Sequence, residues 1–252
     1  MQLSTLMVLL VVAGFAGWID AVVGGGGLVQ VPALLLAFPH FEPATALGTS
    51  KVAAIAGTAV AAGIYARRTR VDLTLGVGVG LVACGSAGLG ALAAATVPSE
   101  MFRPLLICVL VAVAVFMAVR PRFGTAVRHP QAGRRRILLT FLVAGCLLGF
   151  YDGFIGPGTG TFLILALTGI LGLDLVRSSA NAKVINLVTY VGAITVFAIG
   201  GHVMWLLGAA MGVMNIVGAR VGANMTLTRG AGFARVVLML TVCGLAVRLA
   251  FF

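Results

Sequence analysis

Polar positions are so sparse along this chain that its elements are marked by the hydrophobic runs themselves. Apolar stretches cover 3–23, 28–38, 44–65, 73–97, 101–119, 137–151, 161–171, 175–199, 204–227 and 233–252. A helix that crosses a hydrocarbon core of about 30 Å needs about 20 residues at 1.5 Å each, and seven of these stretches reach or approach that length. No hydrophilic segment exceeds about 17 residues, which leaves no room for a separate soluble domain. The pattern predicts an all-α, polytopic membrane protein. The first run has no Lys/Arg region ahead of it and no cleavage pattern behind it, so it reads as retained and not as a signal peptide.

One run breaks the pattern in an informative way. Residues 18–32, "WIDAVVGGGGLVQVP", place an aspartate four residues before four consecutive glycines. Each glycine weakens a helix by roughly 1 kcal/mol relative to alanine, and a charged aspartate at mid-bilayer costs about 2.5–3.5 kcal/mol on insertion scales. The stretch from 3 to 38 is also too long for one span, so the glycines are expected to turn a hairpin.

An offset of 132 residues carries Asp20 onto Asp152 and Lys51 onto Lys183, without a gap. It also carries Gly17 onto Gly149, Gly24 onto Gly156 and Arg103 onto Arg235. The chain contains only two lysines, and both fall at this spacing inside apolar runs, so two halves of one duplicated unit are expected. Residues 1–119 form the first repeat, 137–252 the second, and 120–136 a basic linker.

Charge then assigns orientation. Of 15 arginines, six lie in the linker and three among Arg67–Arg70. Both segments are expected on the cytoplasmic side. In the second half the position of "RRTR" is taken by "IGGH", which has no Lys or Arg, whereas the positions of the arginine-free outer loops acquire Arg177 and Arg229. A bias that flips between halves predicts inverted repeats, each built from one broken or re-entrant hairpin (3–38, 137–171) plus three spans. The same accounting explains a net charge of +11 through topology and anionic lipid, so no nucleic-acid partner is expected.

Composition adds little except exclusions. The chain is 61% hydrophobic and 9% charged, against about 25% charged in soluble domains. Four cysteines sit at irregular spacing inside apolar runs, with no CxxC and no Cys/His pairing, so no metal, disulfide or cofactor is expected. Nothing resembles a nucleophile–base arrangement, and no enzymatic activity is expected. His40, His129 and His202 receive no role, and nothing in the pattern specifies an oligomer.

The candidate chemistry lies at the two hairpin tips. A helix that restarts after Gly24, Gly25, Gly26 and Gly27 presents free N–H groups and a partial positive charge to a cavity, which suits an anion. Gly156, Gly158, Thr159 and Gly160 repeat the device in "GPGTG", with a hydroxyl added. The alternative is close helix packing, although packing needs small residues only every fourth position. Lys51 and Lys183, the latter near Asn181, lie about 10 Å into their spans and approach the midplane from opposite faces, unless they snorkel to the interface. Asp20 and Asp152 can pair with the lysines, cap the following half-helix or carry protons, since low dielectric favours the neutral carboxyl. Arg220 has Gly88 as its counterpart and is expected to snorkel, while Asn215 and Asn224 read as interhelical contacts.

The segments "GWIDAVVGGGGLVQVPALLL", "ALGTSKVAA", "GFYDGFIGPGTGTF" and "SSANAKVIN" resemble the TauE/SafE family of sulfite exporter-like permeases over essentially the whole chain. The resemblance implies a multi-pass protein of a prokaryotic inner membrane. It also implies a small sulfur-containing anion, such as sulfite or a sulfonate, as substrate. Joined to the residue reading, it predicts a secondary carrier for an oxyanion, with coupling to protons through Asp20 or Asp152. An anion channel or a non-transporting membrane scaffold is the alternative.

Overall fold

The computed structural model describes residues 3–98, 100, 101, 104 and 133–251. Every regular element among them is helical: α1 (Leu3–Val23), α2 (Gly27–Ala37), α3 (Pro43–Arg68), α4 (Leu73–Thr96), α5 (Arg134–Phe154), α6 (Thr159–Leu171), α7 (Leu175–Ile199) and α8 (Trp205–Phe251). The helical run of α8 is interrupted at Gly230, where φ is 73° and ψ is −170°. Six segments are long and apolar enough to cross a membrane: α1, α3, α4, α5, α7 and residues Trp205–Gly230 of α8. The expected span 101–119 and most of the linker lie outside the described residues. Arg134–Arg136, at the linker's end, form the first turn of α5.

Local chemistry accounts for where the helices begin. Pro43 occupies the first turn of α3, where its missing N–H costs nothing. Asp72 and Asp174 cap α4 and α7, their carboxylates accepting from the backbone N–H of Leu75 at 2.9 Å and of Arg177 at 2.8 Å. The short helices follow the broken hairpins: α2 has 11 residues and α6 has 13, about 16 Å and 20 Å long. That is roughly half a bilayer.

Packing repeats at the same offset as the sequence. Gly76 and Gly80 of α4 meet Val184 and Val188 of α7, and Gly208 and Gly212 of α8 meet Val52 and Ala56 of α3. Likewise Gly90 of α4 receives Phe150 and Phe154 of α5, as Gly222 of α8 receives Trp18 and Ala21 of α1. These contacts map onto one another when one residue is advanced by 132 and its partner moved back by 132, except that Phe154 corresponds to Val22, the neighbour of Ala21. Small residues at these points let backbones approach closely, which compensates for the absence of a hydrophobic drive between helices in lipid. The correspondence is broken in α5, whose residues Phe141–Leu147 form a π-helical segment, while the matching part of α1 is regular. Gly145 in that segment lies against Val79 and Val82 of α4.

The centre of the molecule is set by α3 and α7, which run antiparallel. Gly48 meets Phe197 near one end, whereas Ala61 and Tyr65 cluster with Ala180 near the other.

Candidate functional site

Both hairpins turn at equivalent glycines. Gly24 has φ of 78° and Gly156 has φ of 86°, a left-handed conformation that side-chain-bearing residues rarely adopt. The two tips then cross backbone to backbone. A β-carbon added at Gly24 would lie 2.6 Å from the Cα of Gly160, so neither position has room for one. Thr161 fastens the crossing by donating its hydroxyl to the Val23 carbonyl at 2.7 Å. Within the second tip Thr159 donates to the Gly156 carbonyl at 2.7 Å, and the Tyr151 hydroxyl to that of Pro157 at 2.6 Å.

Two buried ion pairs flank the crossing, and each joins the lysine of one half to the aspartate of the other. Lys51 Nζ lies 2.7 Å from Asp152 Oδ2, with side chains 6% and 1% exposed. Lys183 Nζ lies 2.7 Å from Asp20 Oδ2, and the same ammonium donates to the Asp20 carbonyl. Thr58 adds a hydroxyl donor to Asp20 Oδ2 at 3.1 Å, and the Tyr190 ring sits under the Lys51 ammonium, 5.0 Å from its centroid. Thr58 follows Lys51 by seven residues along α3, so the positions from which α3 serves the two pairs stand two turns, about 10 Å, apart along its axis. Removing either partner of such a pair leaves an uncompensated buried charge.

Bordering both pairs is a small cavity lined by Asp20, Gly24, Gly27, Lys51, Asp152, Gly156, Gly158 and Gly160, with Val31, Leu47, Ser50, Ala54, Pro157 and Tyr190 completing the wall. Its free volume of ≈ 20 Å³ holds about one water. In this conformation it is therefore too small for anything larger. Gly27, Gly158 and Gly160 bring the amino-terminal ends of α2 and α6 to it, where the first N–H groups lack intrahelical partners.

Several expected site residues sit beside this wall and not in it. Gly26 packs the hairpin, since a β-carbon there would come within 2.7 Å of Asp20 Cβ, and Gly25 rests against Leu28 and Ile19. Lys183 reaches the site through Asp20. Asn181 spends both ends of its amide on structure: Oδ1 accepts from the Asp72 N–H at 3.1 Å and Nδ2 donates to the Arg177 carbonyl at 2.8 Å. It lies two residues from Lys183, hence on another face of α7.

Asn186, which the sequence sets beside Lys183 with Asn181, is not among the expected site residues. It is fully buried, and neither Nδ2 nor Oδ1 has a hydrogen-bond partner among the described residues. Its Nδ2 would stand 3.0 Å from a β-carbon on Gly160, which puts the amide against the tip crossing. The available signal was spacing: Asn186 is three residues after Lys183 and Tyr190 is seven, both on the lysine's face of α7. A second polar chain supports the first tip, with Gln30 donating to the Ser50 carbonyl and accepting from Asn215 Nδ2, each at 3.3 Å.

Known proteins resemble this chain in sequence. A family model described as Sulfite exporter TauE/SafE matches residues 9–249. A protein named Probable membrane transporter protein ORF9, from Sinorhizobium sp, is 36% identical over 97% of this chain and 92% of its own length. Probable membrane transporter protein YfcA of Escherichia coli K12 is 34% identical over 97% of this chain and 89% of its own. A Haemophilus influenzae protein, also named Probable membrane transporter protein, is 36% identical over 91% and 89%. No solved structure matches the chain. The chain belongs to the TauE/SafE family of membrane transporters.

Proposed function

We propose that this protein is a secondary permease that moves a small sulfur oxyanion or organosulfonate, such as sulfite, across the cell's inner membrane without covalent chemistry. The observation that carries the reading is the exchange of ion pairs around a small cavity: Lys51 on Asp152, and Lys183 on Asp20. Each lysine is a buried cation already held by a carboxylate, and a substrate anion can take the carboxylate's place. Released from its lysine, Asp152 or Asp20 accepts a proton so that charge stays balanced, which couples transport to protons. Gly24, Gly27, Gly156, Gly158 and Gly160 give the anion access to backbone N–H groups, and Asn186 supplies an unpaired amide. Gly25, Gly26 and Thr159 shape the tips, and Asn181 positions α7.

The two pairs act as two gates in this scheme. Opening the Lys51–Asp152 pair admits substrate from one side, and opening the Lys183–Asp20 pair releases it to the other. A cavity of only ≈ 20 Å³ beside the paired charges suits a carrier that must rearrange to pass substrate better than a standing channel. The repeats are inverted, with linker 120–136 and Arg67–Arg70 cytoplasmic, and α2 and α6, at about half a bilayer, are the re-entrant arms. One repeat rocking against the other then exchanges the gates.

The test is purified protein in liposomes with labelled sulfite, sulfoacetate and a carboxylate control, with and without a pH gradient. Saturable sulfur-anion flux that responds to the gradient and disappears in Lys51→Met/Lys183→Met is the expected result. Ohmic current without saturation makes the protein a channel. Flux that survives loss of both lysines overturns the site, and flux indifferent to pH removes the aspartates from coupling.

A further inference from the structure

A second cavity lies away from the tips, in a groove between α3 and α8. It has a volume of ≈ 480 Å³ and is lined by Ala59, Val60, Gly63 and Ile64 along its length, with Arg67, Arg68, Arg220 and Asn224 beside them. From Ala59 to Arg67 the groove follows α3 for eight residues, about 12 Å. Ala59 and Gly63 are exposed, and nothing lies within 4 Å of a β-carbon built at Gly63, so the groove opens on the molecular surface. Its lining is therefore apolar along α3 and strongly cationic where α3 ends.

Among the described residues no acidic side chain forms an ion pair with these arginines. It has six acidic residues against 17 lysines and arginines. Asp20 and Asp152 hold the two lysines, Asp174 pairs with Arg177, and Glu42 lies 3.2 Å from His202. Asp72 caps α4, and Glu100 follows the opposite end of that helix. The linker 120–136 contains no acid. Among the described residues Arg67, Arg68 and Arg220 have no ion-pair partner. In the other half the positions of Arg220 and Arg67 are held by Gly88 and Ile199, so the feature is not a by-product of the duplication.

We propose that this groove binds the phosphodiester headgroup of an anionic phospholipid, with Arg67, Arg68 and Arg220 holding the phosphate. Asn224 donates or accepts at the glycerol, and the open face of Gly63 leaves space for the first acyl carbons. A free oxyanion has the same charge chemistry but no use for 12 Å of apolar wall. The site sits at the interfacial end of two spanning helices, where lipid phosphates lie and where each arginine near the surface strengthens binding to anionic lipid.

Full-length protein titrated with phosphatidylglycerol or phosphatidylcholine in detergent, and read by native mass spectrometry, tests it. The wild-type protein retains phosphatidylglycerol in preference to phosphatidylcholine. Arg220→Gln and Arg67→Gln each weaken phosphatidylglycerol about fivefold. Gly63→Leu, which fills the apolar wall and leaves the charge intact, also weakens it, whereas Arg134→Gln/Arg135→Gln on α5 changes it less than twofold. Equal losses from the α5 pair and from Arg220→Gln overturn the site in favour of diffuse surface attraction. Inorganic phosphate that displaces the lipid, with Gly63→Leu neutral, overturns it in favour of a soluble anion. Liposome flux and lipid retention are separate readouts, so failure of either proposal leaves the other standing.

Discussion

Removing Lys51 alone should harm this protein more than removing Lys51 and Asp152 together. In the native fold the ammonium is 2.7 Å from Asp152 Oδ2, and the side chains are 6% and 1% exposed. Lys51→Met keeps most of the stem's volume against the Tyr190 ring but leaves a buried carboxylate without a counter-charge. Breaking a buried pair in this way costs about 3–5 kcal/mol, whereas replacing both members with uncharged groups is often close to neutral. Lys51→Met/Asp152→Asn should therefore recover most of the lost stability. Unfolding of the two variants and the wild type in one detergent, followed by fluorescence, measures the difference. Flux separates the functional role, because both variants have lost the cation and both should be inactive. A single variant as stable as the double one refutes the burial argument. A double variant that transports normally refutes the pair's place in the mechanism.

Three further outcomes follow from the tips and the topology. Gly24→Ala must hold a left-handed φ, at about 1–2 kcal/mol, and places a methyl against Gly160, so folded yield and flux should both fall. Asn186→Leu removes two unpaired buried polar atoms and should stabilise the fold by about 1–3 kcal/mol while lowering flux, as read by thermal unfolding and liposome uptake. Single cysteines at Thr69 and Gly201, in a background free of other cysteines, should react with an impermeant thiol reagent from opposite faces of the membrane. Labelling from one face rejects inversion.

The helices were legible because lipid leaves a chain few options. Every backbone polar group must be satisfied internally, so apolar length translates directly into helix, and the expected runs match α1 to α4 and α7 within a few residues. The glycine turns were legible as well, since four consecutive glycines cannot continue a helix. The pairing was not. An offset of 132 residues says that Asp20 and Asp152 are equivalent, but whether each meets its own half's lysine or the other's is decided by how the halves face each other. Asn181 illustrates a second limit. Its closeness to Lys183 along the chain suggested a shared site, yet a two-residue step on a helix turns a side chain to a different face, and Asn186 occupies the lysine's face instead. The π-helical segment of α5 has no counterpart in α1, and nothing in "FLVAGCL" announces it.

The crossed ion pairs also bear on biosynthesis. When the first repeat leaves the ribosome, Asp20 and Lys51 are already in place, but their partners come later: Asp152 lies 101 positions after Lys51, and Lys183 lies 163 positions after Asp20. At ordinary elongation rates of about 5–20 residues per second, the wait is roughly 5–20 s for Lys51 and roughly 8–33 s for Asp20. During that interval the nascent first half carries an unmatched acid and an unmatched base in segments destined for the membrane interior. Its final packing must wait for the second half. Expressed as two separate polypeptides, the halves should accumulate only when both are made, each serving as the other's obligatory assembly factor.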